Sequence, residues 1–406
     1  MSIEDASKFS AADSTIGYLY QVRIALLWAL RALPLGADFL ISVETLDDVT
    51  FEEKNGKPKD LLQMKHHRNR KANLTDTSPD LWKSLRIWLE AYHSGQVLNG
   101  TTLHLLTTAQ APSGSAASYL RLENRNEDAA LTILEQVAST SENKVNEKAY
   151  ELFRSTPKGA KRSVINHINI LDCSPLITDL NLELHNVIFH AVERQHFDAF
   201  SERLEGWWFQ RVLKQLMVPE NRILAEELES QMSDLREQFK KESLPIDDDL
   251  LDFSLDEAYR EVNKDSIFVR QIELTKAGER RIFAAVRDYY RAFEQRSRWM
   301  REDLILVGEL SKYEKKLIEE WELVFEAMMD NCGKDATDET KERFARELLE
   351  WAEQVAPTSI RVRPQVTEPF VTRGSLHMLA DKLKVGWHPE FSEHLSTLLK
   401  TKGIIT

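Results

Sequence analysis

Apolar residues recur at helical spacing over 16–33, at Tyr18, Val22, Ala25, Leu26, Ala29 and Leu33, and Pro34 then ends the run. A first helix is predicted there, mostly apolar and therefore buried. The pattern then shortens. Phe39–Val43 is an apolar run after the Gly36 turn and reads as a strand, and 48–52 begins another. Asn55-Gly56-Lys57-Pro58 sends the chain back through Leu61, Leu62 and Met64, with Asn-Gly as the hairpin signal. Ser78-Pro79-Asp80 has the form of a cap, with proline at the first helical position, and predicts a helix to about Tyr92. Thr102–Thr107, TLHLLT, reads as the next strand. Helix, strand, hairpin, helix, strand describes a compact α/β unit with a mixed sheet.

After Pro112 the chain changes character, and from about 123 the pattern is mainly helical. Phe197, Phe200, Leu204, Trp207, Trp208, Val212 and Leu216 mark a helix that Pro219 closes. Residues 220–242 are charged with apolar residues at helical intervals, and 279–298 and 313–328 predict two long amphipathic helices. Pro245 and the acidic run 247–249 read as a solvated boundary loop. Two domains are expected: an α/β domain over 1–217 and a mainly helical domain over 218–406.

The 406 residues suffice for that division, and 42% hydrophobic with 29% charged is ordinary for a soluble chain. A net charge of −13 means that any nucleic-acid contact must come from a local basic patch. Cys173 and Cys332 lack metal or disulfide spacing, which fits a reducing cytoplasm. The acidic start MSIEDASKFS is unlike a secretory signal, and no apolar run reaches the length of a membrane span. A cytoplasmic protein with no membrane partner is expected.

The candidate chemistry lies in 43–67, VETLDDVTFEEKNGKPKDLLQMKHH. Side chains alternate along a strand, so Gln63 and Lys65 share one face while Met64 points the other way, into the core. With Asp48 opposite, a carboxylate, an amide oxygen and an ammonium converge. Hard oxygen ligands suit magnesium, held by Asp48, Glu44, the Gln63 side-chain carbonyl and the Met64 backbone carbonyl. Lys65 would position and help deprotonate an attacking water, or stabilise charge developing on the phosphate, and the product would be a cut phosphodiester. His66, His67, Arg68, Arg70 and Lys71 form a basic rim fit to hold a phosphate backbone without reading bases. The competing reading is a hairpin whose charges make ordinary surface pairs. Two polar residues inside an otherwise apolar strand favour the cleft. Zinc at His66 and His67 is disfavoured, because neighbours in a strand face opposite ways and no third ligand is spaced to help.

Asp48 with Gln63-Met64-Lys65 resembles the PD-(D/E)xK nuclease superfamily, in the variant where glutamine replaces the second acid. More narrowly, Tyr20-Gln21, the stretch 44–48 and QMKHH look like the Cap-type endonuclease domain of CBASS effectors. That domain is shared by the nuclease subunits of Lamassu, an ABC-three-component antiphage system. At the other end, FVTRGSLHMLAD (370–381) and GWHP (386–389) resemble the C-terminal signature of those effectors, as does Trp207-Trp208 where the nuclease domain ends. The resemblance implies a restriction-endonuclease-like fold and a magnesium-dependent endonuclease, manganese substituting, that cuts double-stranded DNA with little sequence specificity. It also implies an SMC-like ATPase and a small accessory subunit that hold the effector inactive, and a homo-oligomer on release. It carries Gln21, Glu44, Asp48, Gln63 and Lys65 onto the site. Gln21 departs from the pattern, since many members place a glutamate there, and Glu44 is the compensating carboxylate. A weakened ligand set leaves open a different class, a non-catalytic adaptor with a degenerate nuclease fold that docks the ATPase.

The helical half offers fewer chemical readings. His377, Trp387 and His388 suit either a second centre or packing, and Leu376, Met378, Leu379 and Leu383 favour packing. Arg291, Arg296 and Arg298 suit either DNA or neighbouring acids. Arg361 and Arg363 suit a partner's acids or solvent.

Overall fold

A computed structural model describes residues 11–36, 38–66, 72–97, 100–255, 265–333 and 335–394. Its contacts form two compact units. One is the chain up to Asp234 less 194–196; the other is those three residues with the chain from Leu235 on.

The first unit is α/β, with strands β1 (Phe39–Val43), β2 (Val49–Glu53), β3 (Pro58–Lys65), β4 (Thr102–Thr107), β5 (Ile168–Leu171) and β6 (Ile223–Leu224). Numbering only helices of eight residues or more, it holds α1 (Ala11–Ala32), α2 (Pro79–His93), α3 (Glu127–Thr140), α4 (Glu147–Ser155), α5 (Lys158–His167), α6 (Leu180–Val187) and α7 (Phe197–Met217), with most of α8 (Ala225–Gln238). The strands form one mixed sheet of order β5-β4-β3-β2-β1-β6. The meander β1-β2-β3 is antiparallel, whereas β3, β4 and β5 run parallel, as the crossover through α2 requires.

Each face of the sheet has its own cover. Leu61, Leu103, Leu105, Ile168 and Ile170 pack under Trp82, Trp88, Leu134 and Phe153 of α2, α3 and α4. On the other face, Trp28 of α1 lies 6.4 Å from Phe51 and 5.0 Å from His104, ring to ring. The residues of α1 that seek the core are Tyr20, Ile24 and Leu27, spaced four and three apart, all buried. Of the residues expected to be buried on this helix, Ala25, Leu26 and Ala29 are, whereas Tyr18, nearer its start, is 59% exposed. Trp208, 1% exposed, donates its indole N–H to the Val22 carbonyl at 2.8 Å and ties α7 to α1. Two strands, β5 and β6, lie in the stretch that reads as helical. The second adds to β1 after residue 217, so the sheet continues past the end of α7.

The second unit is helical: α9 (Ile267–Leu274), α10 (Glu279–Arg301), α11 (Glu309–Cys332), α12 (Asp338–Glu350) and α13 (Pro369–Asp381), with a π-turn at Trp351–Val355. Phe268, Val286, Leu317, Trp321, Leu348, Leu376 and Trp387 share its core. Gly374 lets α13 approach α10, since a Cβ there would sit 2.1 Å from the Asp288 carbonyl oxygen. The acidic run is more than a solvated turn. Asp247 exchanges hydrogen bonds with the Gln295 amide at 2.8 and 2.9 Å, and Asp249 meets Arg298 in a fork at 2.7 Å on each arm. Among the described residues, no helix is long and apolar enough to cross a membrane.

Candidate active site

The register Val43↔Val49 leaves 44–48 as the bend between β1 and β2. Glu44 opens it in the left-handed region, at φ 53°, and its N–H donates to the Asp48 carbonyl at 3.0 Å. That conformation costs a non-glycine residue about 1–3 kcal/mol and is tolerated where surrounding contacts impose it. One imposing contact is Asp47. Its carboxylate, 8% exposed, accepts the Trp88 indole N–H at 2.8 Å and the Asp48 N–H at 2.9 Å. With Asp47 turned inward, Asp48 is left facing β3.

Asp48 Oδ2 accepts the Met64 N–H at 2.6 Å. Met64 therefore meets Asp48 through its N–H, and Asp48 keeps Oδ1 as the oxygen that can face a cation. Gln63 pairs with Leu105 in the ladder, on the face covered by α2; Met64 pairs with Leu106 and faces the other side. This is the alternation expected from the sequence. Gln63 is only 3% exposed, and its Oε1 is buried without a hydrogen-bond donor. Lys65 ends the strand, and burial pulls its ammonium below the ordinary lysine value, with Asp48 opposing that pull.

Glu44 completes the group from the bend. Burial and the neighbouring Asp48 raise its carboxyl above the usual range, while a hydrogen bond from Gln21 and the charges of Lys65 and Lys83 pull it back. Gln21, on α1, thus donates to Glu44, and its own Oε1 is buried with no donor. Two neighbouring carboxylates, the Gln21 oxygen beside them and the Gln63 oxygen on the strand face of Lys65 are all hard oxygen donors, both amide oxygens being buried without a donor. Such a set fits a hard divalent cation of the magnesium or manganese kind.

The structure brings together Gln21, Glu44, Asp48 and Lys65, while Gln63 shares the strand face of Lys65. His66 has a different setting: its ring packs 4.7 Å from that of Tyr20, and its Nε2 accepts the Ile177 N–H at 3.4 Å. His67, Arg68, Arg70 and Lys71 lie outside the described residues. Sequence reasoning missed Asp47, Trp88 and Lys83. The Ser78-Pro79 cap signal places Lys83 in the first turns of α2, but nothing in the local pattern says that this end of α2 meets the bend.

In the second unit, the arginines weighed for DNA contact are engaged internally. Arg296, 5% exposed, meets Glu314 and Ser375; Arg291 donates to the Leu251 and Phe253 carbonyls; Arg298 forks onto Asp249; and Arg363, weighed for a partner's acids, pairs with Glu309 at 2.7 Å. His377 and Trp387 are core residues, 2% and 0% exposed. Among the described residues, His388, Glu390 and His394 are the one trio of His, Cys, Asp or Glu with ligand atoms within 4.8 Å of each other. Glu390 already takes the Lys341 ammonium at 2.5 Å, and His388 Nδ1 accepts the Glu390 N–H at 3.1 Å.

Residues 268–395, from α9 to beyond the Trp387 turn, match the family model for C-terminal domain 7 of the ABC-three component (ABC-3C) systems. This segment is similar to an ABC-3C C-terminal domain. This match supports membership of an ABC-3C system, an assembly of several subunits, and it covers the segment whose resemblance was read from FVTRGSLHMLAD and GWHP. No curated protein matches the chain.

Proposed function

We propose that the chain is the nuclease effector of an ABC-3C antiphage and anti-plasmid defence complex, the Lamassu nuclease subunit LmuA, and that it hydrolyses DNA phosphodiester bonds at the bend 44–48. One observation carries this reading: Glu44, Asp48 and Lys65 gather beside Gln21, whose amide oxygen is buried without a donor, as is that of Gln63 on the strand that ends at Lys65. The ABC-3C domain supports the setting of the reading and not its chemistry.

The residues divide the work. Asp48 Oδ1, Glu44 and the Gln63 and Gln21 oxygens would hold magnesium, or manganese in its place. When bound, that ion supplies an electrophile for the phosphate and a more acidic water. Asp47 and Trp88 orient Asp48. The Met64 N–H fixes one Asp48 oxygen, so the carboxylate presents the other in a single direction. Burial eases loss of the Lys65 proton, so that the neutral amine accepts a proton from the water; as the ammonium, Lys65 stabilises charge developing on the phosphate. The exposed Lys83 adds positive charge for an approaching backbone. Partners in this reading are double-stranded DNA, an SMC-like ATPase, a small accessory subunit and, on activation, further copies of the chain.

The test is Lys65→Ala in the assembled complex. General acid–base roles contribute about 10²–10⁴-fold, so cleavage of supercoiled and linear DNA should drop by that range with the thermal midpoint and complex assembly retained. Undiminished cleavage would remove Lys65 from the chemistry. A second reading, a non-catalytic adaptor, is favoured by the amide at Gln21. It gains if the wild-type complex cuts no DNA with either metal yet assembles tightly.

A further inference from the structure

Where α10 crosses α13, the second unit forms a cavity of about 340 Å³ that opens to solvent. Its α10 wall is built from residues 280, 281, 284, 287 and 288, a helical spacing that turns one face toward the space. Arg373 and His377, one turn apart on α13, form another wall, and Glu353 of the π-turn a third. Single π-turns inside helices are frequent at functional sites.

The charges lining this space do not balance. Arg281 forks onto Glu353 at 3.1 and 2.8 Å, and Arg373 meets the buried Asp288 at 2.5 Å. Those pairs match both carboxylates, while Arg280 and Arg287 also line the cavity. Four guanidiniums against two carboxylates leave an excess of two positive charges, in a chain whose net charge is −13. Arg287 reaches the same Asp288 only at 3.5 Å, through both Nε and Nη2, and so is loosely paired. The excess is felt at Arg291, one turn further along α10. There burial first, then the charges of Arg287 and Arg373, hold the guanidinium below its ordinary value. His377 is 2% exposed and its Nδ1 is buried without a partner. Burial pushes its imidazolium down to about 4, so at neutral pH it contributes a neutral ring and a polar atom rather than charge.

We propose that this cavity binds the phosphoryl group of a small, mononucleotide-sized ligand. A dianion offsets the excess charge, and guanidinium forks match phosphate oxygens in pairs. The volume lies in the range of small-ligand pockets and leaves room beyond the phosphate itself. The enclosed His377 polar atom suits a ligand that enters more than it suits a flat protein contact. This inference is independent of the chemistry proposed for the first unit.

The experiment is calorimetric titration of the full chain, without divalent cations, using inorganic phosphate, a nucleoside monophosphate and a nucleoside diphosphate as probes. A saturable single site is expected, with a nucleotide tighter than phosphate. Replacing Arg280→Ala and Arg287→Ala together should weaken binding at least tenfold, while Lys65→Ala leaves it unchanged. Arg280 is exposed and Arg287 is loosely paired, so the double variant should fold, and its thermal unfolding without ligand checks this. No saturable binding of any probe, or equal binding by the double variant, overturns the proposal. So does acetate competing as well as phosphate, which would make the cavity a seat for a carboxylate side chain of another protein.

Discussion

The bend 44–48 of the first unit and the α10–α13 crossing of the second both set charged groups beside buried polar atoms, and they fall short of balance in opposite senses. At the bend, Glu44 and Asp48 repel each other, and the oxygens of Gln21 and Gln63 have no donors, so acceptors are in excess. At the crossing, guanidiniums outnumber carboxylates and Arg287 reaches Asp288 only at 3.5 Å, so donors are in excess. Other charges of the second unit are matched nearby: Arg298 with Asp249, Arg363 with Glu309, and Arg296 with Glu314 and Ser375. Charge alone is therefore a poor guide to a site. A group of buried polar atoms that the chain leaves without partners is a better one, because each such atom costs about 1–3 kcal/mol until something binds it.

The comparison breaks most sharply at Asp48. Asp48→Asn removes the carboxylate nearest the proposed ion, and DNA cleavage by the complex should drop about 10³-fold or more, equivalent to roughly 4 kcal/mol of transition-state stabilisation. Cleavage within tenfold of wild type would mean that the excess of acceptors is not a metal site. In the second unit, Gly374→Ala should destabilise by about 3 kcal/mol in denaturant unfolding, because overpacking forces α10 and α13 apart. An unchanged midpoint would show that the crossing yields easily and cannot hold a shaped cavity.

Asp47 sharpens the contrast through pH. Burial is the main cause that raises its carboxyl from 3.8 to about 6, and the Trp88 hydrogen bond opposes it. A raised carboxyl favours the folded state while protonated, fully so below about 3.8, and that contribution is lost as pH rises through 6. Relative to Asp47→Asn, the wild type should therefore lose up to about 3 kcal/mol of stability between pH 4 and pH 7. Parallel pH curves for the two proteins would show that Asp47 is not the buried titrating group. The smallest effect concerns Gln21. Gln21→Glu adds a carboxylate to the set and should tighten manganese binding about tenfold, equivalent to ~1.4 kcal/mol. Unchanged or weaker binding would turn Gln21 away from the ion.

Strands β1 and β4 fall on the apolar runs that predict them, and Asn55-Gly56 marks the turn before β3, because local pattern and turn chemistry suffice there. β5 is four residues long, follows α5 without a break, and is a strand because β4 pairs with it. β6 is two residues held by β1. Such elements exist through tertiary pairing, which no local window contains. The candidate site divides the same way. Alternation along β3 separates Gln63 and Lys65 from Met64, so half of the site is legible in one strand. Gln21 required a resemblance, and the Asp47–Trp88 bond spans 41 residues of sequence with no pattern to announce it. The arginines of α10 show the same limit, since their charge is visible in the sequence and their partners on α13, the π-turn and the 247–253 segment are not.

Glu44 sits where backbone and side chain ask for different amino acids. At φ 53° the backbone favours glycine or asparagine, whereas the proposed ion needs a carboxylate. A redesign that ranked substitutions by stability alone would select Glu44→Gly among its first choices and would disarm the protein it strengthened. Selections for thermal resistance and for defence in the cell should therefore diverge at this residue, and a library varied only there would separate what the fold tolerates from what the activity requires.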